Sequence, residues 1–262
     1  MKTLPFLKRI RLAVSFGFSL WTLLMFKYEI RLTDFIFYFL IIFSYTFFMC
    51  IFNDFMDREK DFHDEEKKNR NPFLNHEYRG MSSCLMYLSG SFLLLTGLFM
   101  PRMLLWNFVL FMIAYTYNAG IRAKSKPVLD ILWHNLAVTG IVVYGFIFFE
   151  VPVGEEELLL LSQAFLVSTL VEMSQEIRDY EVDKLTEERT TVVLLGPRRS
   201  DVLFKLLVSF FVLITIAFGK NDLKYLAMPI LLLVVLVKQD THKKRSVSIN
   251  AVGLLMILLF FT

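Results

Sequence analysis

Acidic residues gather where a long apolar run ends, in the segment NDFMDREKDFHDEEKKNR at residues 53–70. If the helix carrying the apolar run continues through it at about 100° per residue, Asp54, Asp57 and Asp61 fall within about 60° of one another. Like charges this close repel, so such a face is most stable when a hard cation binds it. The segment therefore predicts a metal site, and the alternative is a solvated helix end, which is typical of an isolated charge run.

A second acidic face follows later in the chain, in EIRDYEVDKLTEERTTVVLLG at residues 176–196. Asp179 and Asp183 are four residues apart, about 40° around a helix, with Glu176 and the deeper Glu172 on the same side. Two such faces across a cavity could hold two Mg²⁺ ions, which bind carboxylates together with substrate phosphates. The pair predicts a diphosphate substrate.

The elements that carry these faces are membrane helices. Of the 262 residues, 56% are hydrophobic, and the mean hydropathy is +0.54. That is well above the apolar share of a soluble domain, so we predict an integral membrane protein embedded in the lipid bilayer. Nine apolar runs approach the roughly 20 residues that cross a bilayer, near 10–27, 33–52, 80–98, 103–118, 129–149, 157–177, 202–219, 223–239 and 246–262.

The positions of Lys and Arg predict the orientation. With nine helices, most of these cations lie on the side of the N-terminus. The other side holds only Lys27, Arg31, Arg102, Lys220 and Lys224. Cationic loops stay in the cytoplasm, so the N-terminus is predicted to be cytoplasmic. The net charge of +3 is small although Lys and Arg are distributed very unevenly between the two sides of the membrane. It therefore does not indicate nucleic-acid binding.

The predicted cytoplasmic loops, about 53–79, 119–128 and 178–201, include both acidic segments and are longer than most of the outer turns. Long loops in a compact fold are usually functional. We therefore predict one transmembrane domain over residues 1–262, with its active site on the cytoplasmic side.

Basic and polar residues near the acidic faces are candidates for binding substrate. Lys and Arg would absorb the charge of a departing diphosphate, and the candidates are Arg58, Lys67, Arg70, Arg122, Lys124, Lys184 and Arg189. Glu172 lies in an apolar stretch, where an ionisable residue is a functional candidate. Its alternative role is a structural pairing between helices.

The motif NDFMDREKD resembles the NDxxDxxxD signature, and DYEVD the DxxxD signature, of the UbiA superfamily of intramembrane prenyltransferases. The spacing of the motifs and the helix count agree with that family over essentially the whole chain. Tyr115, Arg122 and Lys124 resemble its tyrosine-then-basic segment, with Asn135 near the start of the next helix.

The resemblance implies an all-α bundle of nine transmembrane helices around a central cavity, with a polyprenyl diphosphate bound through Mg²⁺. Matched residue by residue, the first site would comprise Asn53, Asp54, Asp57 and Asp61, and the second Asp179 and Asp183. The five aspartates would be the metal ligands.

Two departures from the family pattern stand out. The family often has Gly four residues after the last Asp, where this chain has Glu187. Its NRPxxxG segment is here NRNPFLNHE, which argues against the ubiquinone and menaquinone branches. That loop and RAKSKPVLDILWHN look more like branches that modify isoprenoid lipids, including lycopene elongases.

The resulting hypothesis is a Mg²⁺-dependent transferase of alkyl groups other than methyl. It would move a prenyl group to an aromatic or isoprenoid-lipid acceptor within the membrane. A terpene cyclase on the same scaffold would use the same metals without an acceptor. A cation transporter ranks lower, because its carboxylates would lie near the middle of the membrane in broken helices.

Overall fold

The computed structural model describes residues 31–218 and, within them, every side chain except those of Glu66, Glu156 and 215–218. Secondary structure within 31–218 is entirely helical, without strands. The longer helices are α1 (Leu32–Met56), α4 (His76–Phe99), α5 (Pro101–Asn118), α6 (Leu129–Phe148), α7 (Glu155–Leu185) and α9 (Pro197–Phe218). The shorter ones are α2 (Arg58–Asp61), α3 (Glu65–Arg70) and α8 (Thr191–Leu195), with 3₁₀ turns at Pro72–Leu74 and Ala123–Ser125.

Five helices in the described part of the chain are long and apolar enough to cross a membrane. They cover Leu32–Met56, His76–Phe99, Pro101–Ser125, Leu129–Phe148 and Glu157–Leu185. The prediction of an all-helical chain rich in membrane spans is confirmed for residues 31–218. The predicted runs 10–27, 223–239 and 246–262 lie outside them, so the count of nine and the N-terminal orientation stay predictions.

The helices begin and end where the local sequence favours it. Asn75 caps α4 by accepting a hydrogen bond from the Glu77 amide at 2.9 Å, and Asn is a favoured N-cap. Pro101 begins α5, a position where the amide that proline lacks would have no partner inside the helix. α1 contains neither Gly nor Pro, so nothing in its interior interrupts the apolar run.

Within residues 31–218 the structure divides into two compact units, each described by itself: 31–123 with 147–149, and 124–146 with 150–218. In the first unit α1 packs against both α4 and α5. Tyr38, Ile41 and Tyr45 of α1 are fully buried there. α4 comes close because it carries Gly90, where an added Cβ would lie 3.0 Å from the Phe48 ring.

In the second unit α7 packs against α9, and the short α8 contacts both. Their core is built from Leu166, Leu170 and Met173 of α7 and from Phe204 and Phe211 of α9. The core residues of α7 and the second acidic motif, with Asp179 and Asp183, belong to one continuous helix, Glu155–Leu185.

Candidate active site

The first acidic motif lies at a break between two helices. α1 ends at Met56, Asp57 has φ −91° and ψ 5°, and α2 begins at Arg58. One hydrogen bond of helical spacing lies on each side of the break, from the Asp57 amide to the Asn53 carbonyl at 2.9 Å and from the Asp61 amide to the Asp57 carbonyl at 2.7 Å. The continuous helix expected from the sequence is interrupted at Asp57.

All three motif carboxylates of this segment are nevertheless buried. Asp54 is 2% exposed, Asp57 8% and Asp61 4%, while Asn53 is half-buried. By contrast Glu59, in the same segment, is exposed. Burying a carboxylate costs free energy unless hydrogen bonds or a cation compensate, so these three positions differ physically from the surrounding charge run.

Asn71 is a residue of this site that the sequence analysis missed. Its side-chain amide donates to Asp61 Oδ2 at 2.8 Å and to the Asp54 carbonyl at 2.7 Å. Its Oδ1 accepts the Phe73 amide at 2.9 Å. The only signal in the sequence was the departure NRNP from the family pattern. Asn71 lies between Arg70 and Pro72, whereas the family pattern has Arg followed directly by Pro.

The basic candidates near the first motif differ in their contacts and exposure. Arg58 donates to the Phe55 carbonyl at 3.2 Å and lies 4.7 Å above the Phe55 ring. Lys67 and Arg70 are half-buried, and the Lys67 amide donates to the Asp64 carboxylate at 3.0 Å. Arg58 thus lies between Asp57 and Asp61 in the chain, whereas Lys67 and Arg70 follow the last carboxylate.

Of the tyrosine-then-basic segment, Tyr115 is 41% exposed and stacks on Phe52 with ring centroids 6.1 Å apart. Arg122 is exposed and has a left-handed φ of +50°. Lys124 is half-buried and belongs to the second unit.

The second acidic motif lies on α7, which continues to Leu185. Asp183 is 2% exposed, and the half-buried Asp179 accepts two hydrogen bonds from Arg178, at 2.7 and 3.0 Å. The helical spacing expected for Asp179 and Asp183 is thus present. The Arg178 pairing between adjacent residues was not expected.

Lys184 and Arg189 are exposed. Glu187, which has a left-handed φ of +58°, lies between them, just after the end of α7. It occupies the position at which the family pattern has Gly.

A buried polar network lies about two to three turns of α7 before the second motif. Glu172 Oε2 is 3.5 Å from His134 Nε2, and His134 Nδ1 is 2.9 Å from the Ser168 hydroxyl. Asn135 donates to the Thr169 hydroxyl at 2.7 Å. The pairing of Glu172 that the sequence left open as an alternative to a binding role is therefore present, and Asn135 links α6 to α7.

Asp130 and Thr191 form the other contact that the sequence analysis missed. The Thr191 amide donates to Asp130 Oδ2, and the Thr191 hydroxyl donates to Asp130 Oδ1 at 2.6 Å. The next amide of α8, Val192, donates to Glu176 Oε2 at 3.1 Å. Carboxylates from α6 and α7 therefore satisfy the first amides of α8, which favours that helix start.

The acidic residues have the donor chemistry of a metal site. Within residues 31–218 no group of three or more His, Cys, Asp or Glu side chains is arranged to hold a metal ion. The donors themselves, buried or half-buried carboxylate oxygens at Asp54, Asp57, Asp61, Asp179 and Asp183, are the type that hard cations such as Mg²⁺ prefer. In donor chemistry the residues fit Mg²⁺.

Apolar helices and two carboxylate motifs at helix ends define a polytopic membrane protein with acidic segments suited to binding cations. The family model of the UbiA prenyltransferase family matches residues 13–260. The chain belongs to that family.

Several solved structures of UbiA homologs have a fold similar to that of this chain. A UbiA homolog from Archaeoglobus fulgidus bound to DMAPP and Mg²⁺ has a TM-score of 0.74 at 17% identity, covering 97% of each chain. The apo structure of a UbiA homolog from Aeropyrum pernix K1 scores 0.61 at 16% identity, covering 96% of this chain and 94% of the other.

A structure of digeranylgeranylglyceryl phosphate synthase scores 0.63 at 16% identity, covering 100% of this chain and 98% of that one. At such identities the likeness shows the fold alone. Comparison with curated protein sequences finds no significant match.

Proposed function

We propose that the protein is a Mg²⁺-dependent prenyltransferase that moves a prenyl group from a polyprenyl diphosphate to a hydrophobic acceptor, aromatic or isoprenoid-lipid, in the membrane. The observation that carries the proposal is the burial of motif carboxylates in both acidic segments, Asp54, Asp57 and Asp61 in one and Asp183 in the other. Membership of the UbiA prenyltransferase family supports it. So does the relative bound to DMAPP and Mg²⁺, which has the same fold.

In this proposal the five aspartates hold the metal ions, assisted by Asn53. When bound, Mg²⁺ would supply Lewis acidity that neutralises the departing diphosphate. Arg58, Lys67, Arg70, Arg122, Lys124, Lys184 and Arg189 supply positive charge for the phosphate oxygens, and Tyr115, Asn135 and Glu172 line the substrate path.

The scaffold is part of the same proposal. The chain forms one transmembrane domain over residues 1–262, with nine helices around a central cavity and the acidic segments on the cytoplasmic side. Aromatic side chains such as Phe52, Phe55 and Tyr115 near the first motif exclude water, which would otherwise quench an allylic cation. Charge asymmetry and the apolar runs support this arrangement.

The test is a screen of DMAPP, GPP and longer prenyl diphosphates against pooled lipid and aromatic acceptors, read by mass spectrometry. Asp57→Ala and Asp179→Ala should each lower turnover by at least about a hundredfold, since each removes a charged group from the reacting centre. The matched controls are Glu59→Ala and Glu181→Ala, which remove exposed carboxylates from the same segments.

Normal turnover in either aspartate variant would refute the proposal. Release of a hydrocarbon from a prenyl diphosphate alone would instead indicate the terpene cyclase. Transport of a cation without chemistry on any prenyl diphosphate would indicate the transporter.

A further inference from the structure

We propose that Asn71 is a positioning residue for the first metal site: it holds the Asp61 carboxylate and the end of α1 in the arrangement that binds the cation. The inference rests on the proposed function, because it assumes that Asp54, Asp57 and Asp61 bind Mg²⁺. It adds a residue outside both acidic motifs.

The contacts of Asn71 account for its whole side chain. The residue is 2% exposed. Its Nδ2 donates to Asp61 Oδ2 at an N–O distance of 2.8 Å and to the Asp54 carbonyl at 2.7 Å, while Oδ1 accepts the Phe73 amide at 2.9 Å. The amide orientation is fixed by its partners, because both partners of the nitrogen are acceptors and the partner of the oxygen is a donor.

These bonds connect three parts of the segment that the backbone alone does not hold together. Asp54 is in α1, Asp61 ends α2 after the break at Asp57, and Asn71 begins the turn Pro72–Leu74. One side chain therefore spans the break. A hydrogen bond to one carboxylate oxygen fixes the plane of the group and the direction in which its other oxygen points.

The cation would need this support. Three buried acidic groups repel one another, and a donor that is itself uncharged offsets part of that repulsion without competing for the metal. Groups that hydrogen-bond to metal ligands typically change metal affinity by about ten- to a hundredfold when they are removed. Asn71 has the position and the chemistry of such a group.

Asn75 provides a matched control in the same loop. Its Oδ1 accepts the Glu77 amide at 2.9 Å, the same capping bond that Asn71 makes to Phe73. No motif carboxylate is among its hydrogen-bond partners. Ser is also a good capping residue, so Asn71→Ser and Asn75→Ser both keep the cap, whereas only Asn71→Ser loses the reach to Asp61.

The experiment titrates Mn²⁺ into the full-length protein in detergent and reads free Mn²⁺ by electron paramagnetic resonance. We expect Asn71→Ser to weaken Mn²⁺ binding by about ten- to a hundredfold, and Asn75→Ser to leave it unchanged. A second readout is the Mg²⁺ concentration for half-maximal prenyl transfer, which should rise in Asn71→Ser while turnover at saturating Mg²⁺ recovers. A purely structural role would lower turnover at every Mg²⁺ concentration.

Mn²⁺ binding by Asn71→Ser equal to that of the parent would overturn the inference, provided that Asp57→Ala lowers the number of Mn²⁺ ions bound; the second acidic motif can still hold one. If Asp57→Ala binds Mn²⁺ as the parent does, the first motif is not a metal site, and the proposed function fails together with the inference. Should Asn71→Ser fail to fold, Asn71→Thr makes the same comparison, because Thr also caps and is also too short to reach Asp61.

Discussion

Replacing Thr191 by Val tests how the segment after the second acidic motif is held. Valine has nearly the shape of threonine, so the change removes the hydroxyl and creates no cavity. That hydroxyl donates to Asp130 Oδ1 at 2.6 Å and accepts the Val128 amide at 2.7 Å. Both contacts join residues more than sixty positions apart in sequence, and both lie within the second unit.

The magnitude follows from these two bonds. A hydrogen bond to a charged group contributes about 1.5–3 kcal/mol, and a neutral one about 0.5–1.5 kcal/mol. The bond to Asp130 is made to a carboxylate oxygen, which places it in the first class, and Asp130 is fully buried. Val128 is 57% exposed and has a left-handed φ of +71°, so water can replace its lost partner in part. We expect Thr191→Val to lower the free energy of unfolding by about 2–4 kcal/mol.

The assay is reversible unfolding in mixed detergent micelles followed by circular dichroism, with hydrogen exchange of residues 186–195 as the local readout. Thr186→Val is the matched control, because the Thr186 hydroxyl bonds only to carbonyls of its own helix, Val182 at 2.9 Å and Asp183 at 3.3 Å. Thr186→Val should change the unfolding free energy by less than about 1 kcal/mol. Equal effects of the two substitutions would refute the reasoning.

Two further predictions concern glycine. Glu187→Gly should raise the free energy of unfolding by about 0.5–1 kcal/mol, because relief of the left-handed φ of +58° exceeds the added entropy of the unfolded chain. Thermal unfolding checks this, and Glu187→Ala, which keeps the strain, should give no gain. Gly97→Ala should lower stability by about 1–3 kcal/mol, because the new Cβ would lie 2.9 Å from the Leu104 Cα. Gly80→Ala, with open space at its Cβ on the same helix, should stabilise by up to about 1 kcal/mol, and a loss of stability there would contradict the packing argument.

Periodicity and hydropathy were sufficient to predict the six long helices between residues 31 and 218, but not the short α2, α3 and α8. Runs such as 33–52 and 129–149 contain few charges, and a long apolar run in a chain of this composition has no stable state other than a membrane helix. The break at Asp57 was not predictable in this way. No Gly or Pro marks it, and it occurs between residues that still make hydrogen bonds of helical spacing on either side.

The candidate site was predictable only where its residues are neighbours in sequence. Asp179 and Asp183 share a helix face because of their spacing alone. Asn71 and Asp61, ten residues apart across a turn, leave no periodic signal, and Thr191 and Asp130 are 61 residues apart. Long-range polar pairs of this kind depend on tertiary structure, so single-sequence patterns cannot reveal them.

The two missed contacts address one physical problem. Carboxylates that are to bind a cation repel one another before it arrives, so the backbone beneath them has to be fixed by bonds that do not depend on the metal. In the first unit an uncharged amide, Asn71, fastens the chain after the motif to Asp61 and to the end of α1. In the second, Asp130 and Glu176 cap α8, which follows Asp183 by a short turn. Because Asn71 bonds to a proposed metal ligand, Asn71→Ser should chiefly weaken metal binding. Because Thr191 bonds to Asp130 at the start of α8, Thr191→Val should chiefly lower the stability of residues 186–195. If instead Asn71→Ser lowered only stability and Thr191→Val weakened only metal binding, these contacts would not have these roles.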